Sequence, residues 1–273
     1  MTPPVSSKLH ATLNARFSDA SEPPSNLEQL LPIAARGSCR DFTEETIDRA
    51  LLDTLIATAF SAPTKSDLQQ RDVLIVTDPK IRAALNEACD TQGWVSGAPL
   101  LLVVLGNHRR QQKIHERQNR PFANNHMDAL FNAAVDGGIL LSSLVTCFEL
   151  AGLGTCPISA IRNKPEDVAT ILNLPKQVFP VAALAVGWPK SRPAPSPRLP
   201  LTATVHENQF DDNREDALAQ QYDLTRQYEI QRFAKEDGVS TEYGWSEDKA
   251  RQYARSERKT FGQWLETQGF TLT

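Results

Sequence analysis

The chain has 273 residues, 40% of them hydrophobic and 23% charged, with a formal net charge of −4. That is the composition of a globular protein long enough for one or two domains with a sizeable core. It holds no basic run or basic–aromatic patch beyond Arg109-Arg110, so a nucleic-acid partner is not expected. No apolar run reads as a membrane span.

The first 26 residues lack an apolar signal-peptide core and carry Pro3, Pro4, Pro23, Pro24 and several serines, so they are expected to form a loose tail. Without an export signal, Cys39, Cys89, Cys147 and Cys156 are expected as reduced thiols in a cytoplasm. Leu27 to Ala35 reads as a short helix. Arg36-Gly37-Ser38-Cys39-Arg40-Asp41-Phe42 follows, then Thr43 as an expected N-cap with Glu44 and Glu45 at the positive helix end. Ile47, Leu51 and Leu55 recur at four-residue spacing, which predicts a helix to about Phe60. Residues 61–67 read as a loop and Val73 to Val76 as a buried strand. Asp78-Pro79 opens a helix with Ile81, Leu85 and Ala88 on one face. Leu100 to Leu105 is a second strand. The polar stretch from Asn107 to Asn125 is expected as a mobile surface excursion; its histidines lack zinc-like spacing.

Met127 to Leu150 is a long helix with apolar residues on almost every side, as expected of a helix buried in a core or against a partner subunit. It stops at Gly152 and Gly154. The loop expected at Cys156-Pro157-Ile158-Ser159-Ala160 is either a plain stop or a platform of exposed backbone N–H groups. A short helix from Pro165, a third strand from Val178 to Val186 and a proline-rich extended arm through Pro200 come next. Two helical patterns, about 215–235 and 246–267, finish the chain. Three strands among unequally spaced helices imply an α+β fold.

Neither a dinucleotide fingerprint nor a phosphate loop nor a serine-hydrolase elbow is present. Arg36, Ser38 and Arg40 alternate onto one side of an extended segment. Two guanidinium forks and a hydroxyl suit a phosphate monoester, the alternative being a solvated basic turn. Arg198 closes the proline arm as Ser196-Pro197-Arg198.

Five motifs in order carry a resemblance. They are Arg36-Gly-Ser-Cys-Arg-Asp-Phe42, the run from Gly152 to Asn163 with 166–175, Val186-Gly-Trp-Pro189, Pro197-Arg-Leu-Pro200 and Val205-His-Glu-Asn208. The chain resembles the FMN-dependent nitroreductase superfamily, in the branch of oxygen-insensitive NADPH nitroreductases and NADPH–flavin reductases. The resemblance implies a three-layer fold, a mixed sheet with helices on both sides, and a homodimer with swapped extensions. Its domain plan would be a tail over 1–26, an FMN-binding core over 27–210 and a C-terminal helical extension over 211–273. It implies that Arg36, Gly37, Ser38 and Arg40 bind the FMN phosphate and ribityl chain, with Ser196 and Arg198 completing the clamp. Pro63, Thr64, Lys65 and Asp67 would form the loop laid on the flavin by the second subunit, and Gln92 would meet its pyrimidine edge. Pro157, Ile158, Ser159 and Ala160 would line the ring, with the backbone of Ser159 and Ala160 near N5. Asp67 and Arg258 are candidate substrate contacts.

The implied activity is reduction of nitroaromatics, quinones or free flavin by NADPH or NADH, by ping-pong hydride transfer. A flavin sensor or carrier without turnover, or a dehalogenase of the same superfamily, is the alternative. The sequence departs from the branch in three places. Asp67 replaces an Asn or aromatic residue, Gln70-Arg71 replaces Pro-Trp, and the segment from Arg232 to Glu242, where a basic cluster would hold the NADPH 2′-phosphate, is partly acidic.

Overall fold

The computed structural model describes residues 5–89, 95 and 97–272. In chain order its elements are α1 (Val5–Arg16), α2 (Leu31–Ala35), α3 (Arg49–Phe60), β1 (Arg71–Val76), α4 (Pro79–Ala88), β2 (Leu100–Asn107), α5 (Arg109–Arg117), α6 (Met127–Leu150), β3 (Gly154–Ile158), α7 (Pro165–Ile171), β4 (Val178–Gly187), α8 (Glu215–Thr225), α9 (Ala234–Asp237), α10 (Trp245–Tyr253) and α11 (Phe261–Thr267). They form two compact units, one of residues 1–36 and 194–257, the other of residues 37–193 and 258–273.

The larger unit holds the sheet, in the order β1-β2-β4-β3. All its pairings are antiparallel. The mixed character expected of the sheet is limited to a single parallel bridge between Ser38 and Thr155. Strand β2 shows why the layers form. Leu101, Val103 and Leu105 pack with Leu85 and Ala88 of α4 and Val168 of α7. Leu100, Leu102 and Val104 point the other way, onto Leu52 of α3 and Leu140, Leu144 and Phe148 of α6. Alternate residues thus bury on opposite faces, and a strand covered on both faces reads as an unbroken apolar run. Each fully buried Leu or Phe contributes roughly 1.5–3 kcal/mol. The register of β2 on β4 slips between Val104 and Leu105, where Pro180 stands opposite; a bulge is a place where a strand accepts a proline.

Helix α6 runs over the stretch its apolar pattern marks. In length and composition it would pass for a membrane span, contrary to the expectation from the sequence. Instead one face buries in the core, with Asp136 wholly inside, while Met127, Phe131 and Val135 are 48%, 63% and 40% exposed. Gly137 lets it approach the sheet, since a Cβ there would lie 2.7 Å from Val181. The helix closes at Gly152, whose φ of +87° is the left-handed stop that glycine accommodates.

Several expectations are corrected. The tail contains helix α1, over a run free of Pro and Gly whose Leu9 is buried. Helix α3 begins at Arg49 with Asp48 as its cap, accepting from Leu51 N at 3.0 Å. Thr43 lies before it, with its N–H donating to Trp188 O at 2.8 Å. The first half of the loop expected at 156–160 belongs to strand β3; it lies at the sheet edge, where Pro157 costs no ladder bond. The polar stretch after Asn107 carries α5, fastened by an Arg110–Asp72 ion pair of 2.6 Å and by buried His108 and Gln111.

The smaller unit contains α1, α2, α8, α9 and α10. The helix expected over 215–235 ends at Thr225, because Gln227 pairs with Gly244 and Tyr228 N reaches Tyr243 O at 3.3 Å. Phe233, left-handed at φ 51°, starts the one-turn α9. The helix expected over 246–267 is likewise two, α10 and α11, broken at Arg258 with φ 54°.

Candidate cofactor site

In the larger unit, the segment after Gly37 behaves as an extended strand. Ser38 bridges Thr155 and Cys39 N donates to Thr155 O at 2.9 Å. Ser38 and Arg40 are exposed and Cys39 between them is buried, as strand alternation demands. Gly37 is required by close approach, since a Cβ there would lie 2.6 Å from Pro193 Cγ. Arg36 caps α2 with extended backbone and belongs to the smaller unit.

The loop of Pro63, Thr64, Lys65 and Asp67 is organised by a residue the motif reading misses. Asp136 has no exposed surface. Its carboxylate accepts from Thr64 Oγ1 at 2.6 Å, Lys65 N at 3.1 Å and Gln70 N at 3.0 Å. The Lys65 ammonium reaches Asp128 at 3.2 Å and Asn132 at 3.0 Å. Ser66, Asp67 and Gln69 all take positive φ, of 48°, 55° and 50°, a conformation that is costly without glycine. The exposed Asp67 carboxylate accepts from Gln69 Nε2 at 2.9 Å. Arg71, one of the departures from the branch, is buried. Its guanidinium donates to Phe60 O at 3.0 Å, Ala62 O at 2.6 Å and Pro63 O at 2.5 Å, and so braces the loop from beneath. The sequence signal for Asp136 is a lone carboxylate on the apolar side of α6. Gln92 lies outside the described residues.

Strand β3 and the helical turn after it place Pro157 and Ser159 in the open, Ile158 in the core and Ala160 half-buried. The opening N–H groups of such a turn have no acceptor within it. Arg258 comes to this turn. Its Nε donates to Asn163 Oδ1 at 3.0 Å and its Nη2 lies 3.4 Å from Ser159 Oγ. Arg258 is therefore not on a solvated helix face. Beside it, burial and then the charge of Arg258 hold Arg162 below its ordinary pKa.

In the smaller unit, Arg36 and Arg198 gather around a third arginine absent from every motif. Arg16, 7% exposed, donates to Ala34 O at 2.5 Å, to Ser196 O at 3.2 Å and to Arg36 O. Burial, then the charges of Arg198 and Arg36, hold the Arg16 guanidinium below its ordinary pKa. Arg198 N donates to Arg16 O at 2.6 Å and Tyr222 Oη to Pro197 O at 2.9 Å, fixing the arm between α1 and α8. A cavity of about 460 Å³ opens beside it, lined by Ser196, Arg198, Tyr222, Arg226, Tyr228 and Trp245 among others.

Like charges held together call for an anion, and guanidinium forks match a phosphate bidentately. The fold itself, an antiparallel sheet between two helical layers, is shared with solved structures. The structure of B. megaterium NfrA2 superposes with a TM-score of 0.81 at 31% identity, over 90% of this chain and 98% of that one. The NADPH:FMN oxidoreductase of Vibrio harveyi complexed with NAD+ gives 0.77 at 27% identity, over 88% and 97%. In sequence, the chain is 32% identical to an FMN reductase [NAD(P)H] of Bacillus subtilis, over 86% of this chain and 94% of that protein. It is 31% identical to an oxygen-insensitive NADPH nitroreductase of Salmonella typhimurium, over 85% and 94%. The Nitroreductase family matches residues 33–188, and its C-terminal domain matches 196–273. The chain belongs to the nitroreductase family.

Proposed function

We propose that this protein is an FMN-dependent NAD(P)H oxidoreductase, acting as a homodimer on small aromatic nitro compounds, quinones or free flavin. The carrying observation is the gathering of Arg36 and Arg198 with Arg16 in a chain of this family. Those residues fit a phosphate-bearing cofactor, and FMN, unlike riboflavin, carries one. When bound, FMN would supply the redox chemistry between NAD(P)H and the acceptor. In the smaller unit, Arg36 and Arg198 would hold the phosphate. Thr64 and Lys65 would meet the flavin from a loop fixed by Asp136, and the backbone of Ser159 and Ala160 would line its ring. Arg258, beside Ser159, would orient an anionic group on the coenzyme or acceptor. The apolar stripe of Met127, Phe131 and Val135 is the face a second copy would cover. The thiols of Cys39, Cys89, Cys147 and Cys156 suit a reducing cytoplasm.

The purified protein is expected to be yellow, with about one FMN per chain, and to elute with the light-scattering mass of two chains. Anaerobic NADH or NADPH is expected to bleach the flavin band. A colourless monomer that takes up no added FMN would sink the proposal; a flavin that binds but never bleaches would favour a carrier.

The two coenzymes are expected to serve within about tenfold of one another in kcat/KM, roughly 1.4 kcal/mol. The resemblance implies a 2′-phosphate site near 232–242, and the arginines in and beside that segment already have partners. Arg232 pairs with Asp248 at 3.1 Å, Arg251 with Glu247 at 2.7 Å and Arg255 with Asp237 at 2.9 Å. Initial rates with both donors against a quinone, at low and moderate salt, decide the matter. An NADPH preference above a hundredfold that collapses with salt would show a basic site elsewhere.

A further inference from the structure

The family matches begin at residue 33 and resume at 196, so helix α1 and the residues after it lie outside them. Yet this segment is tied to the proline arm at three points. Arg198 N donates to Arg16 O at 2.6 Å, and the Arg16 guanidinium donates to Ser196 O at 3.2 Å. The Asp19 carboxylate then accepts from Leu201 N and Thr202 N, both at 2.8 Å. Two of these ties flank Pro197, immediately before the side chain of Arg198, and the third fixes the turn that follows it.

Arg16 itself is unusual. It is a nearly buried cation whose hydrogen-bond acceptors among the described residues are three neutral carbonyl oxygens. A buried charge costs free energy unless something of opposite sign offsets it. An arginine has five N–H donors, so donors are left over for another acceptor. Arg16 and Arg198 both line a small cavity of about 70 Å³ between α1 and α8. A cation placed this way, with Arg36 and Arg198 as its neighbours, is compensated when an anion arrives.

We propose that residues 5–19 form a clasp on the Ser196–Arg198 arm, and that Arg16 is a positioning residue for the cofactor phosphate, adding a third positive charge to the clamp. The proposal rests on the reading of Arg36 and Arg198 as phosphate ligands. It goes beyond that reading by making phosphate affinity depend on a segment the family matches do not include.

The test compares FMN and riboflavin binding to the apoprotein by fluorescence quenching. Arg16→Ala is expected to weaken FMN at least about tenfold and to leave riboflavin within twofold; Arg16→Lys is expected to recover part of the loss. A brace with no electrostatic role would weaken both flavins alike, and a bystander would weaken neither; either result overturns the proposal. Should Arg16→Ala fail to fold, Asp19→Ala removes an exposed tie to the arm and is expected to weaken FMN about threefold with riboflavin unmoved. Equal effects, or none, again overturn it. A second arm uses inorganic phosphate without flavin. Phosphate is expected to raise the Tm of the wild type above its value in chloride at equal ionic strength, and less so in Arg16→Lys. A wild type that binds neither flavin would end the oxidoreductase reading alone, and the phosphate arm would still decide the role of Arg16.

Discussion

Arg198→Ala is expected to raise the FMN dissociation constant about a hundredfold, enough for the protein to lose its colour on gel filtration. Hydrogen bonds to a charged group contribute roughly 1.5–3 kcal/mol each, and a guanidinium grips a phosphate with two of them. Two such bonds give about 3 kcal/mol, and 1.4 kcal/mol is tenfold. The fold has little to lose. The Arg198 side chain is exposed, and its guanidinium donates to the adjacent Pro197 O at 3.1 Å. The arm keeps its other ties, through Arg198 N and the Tyr222 hydroxyl. Riboflavin binding is therefore expected to change little and the Tm of the apoprotein by less than about 2 °C. Full flavin retention through the column would remove Arg198 from the clamp.

Candidate residues could be named from the sequence, and the residues that support them could not. Arg36, Ser38, Arg40 and Arg198 could be named because phosphate recognition draws on a short menu of side chains at close spacing. What placed them in the fold was long-range. Arg16 belongs with Arg36 and Arg198 only because α1 folds back, and a stretch flanked by prolines and serines hid a helix with a single buried leucine. Arg71 looked like a bare departure from the family; its meaning lies in three carbonyls that no local pattern reveals. The layers were readable in the continuous apolar runs of β2 and β4, as strands covered on both faces must be. Strand β3 was not, because a proline on an edge strand looks like a loop. The C-terminal helices were read too long, since periodicity cannot see that Gln227 prefers Gly244 to another helical turn.

Asp136→Ala is expected to cost about 3–5 kcal/mol of stability and to lower the apoprotein Tm by roughly 10 °C. The carboxylate accepts from Thr64 Oγ1, Lys65 N and Gln70 N in a region closed to water. The Thr64 hydroxyl can turn to another acceptor, but the two backbone N–H groups cannot. A buried donor left without a partner costs roughly 1–3 kcal/mol. The vacated volume adds a further penalty. Asp136→Asn separates charge from shape. The amide keeps one acceptor oxygen but turns a donor toward donors, so it is expected to fall between wild type and Asp136→Ala. Thr64→Val, which leaves the carboxylate its two backbone donors, is expected to cost only about 1 kcal/mol. The loop should register the change as well as the fold. Ser66, Asp67 and Gln69 hold left-handed backbone, at a cost of about 1–3 kcal/mol each. Only contacts such as those of Asp136 keep them there, so hydrogen exchange at Lys65 and Gln70 is expected to accelerate before the sheet opens. A loss below about 1 kcal/mol, with the loop amides still protected, would mean that Arg71 alone fixes the loop.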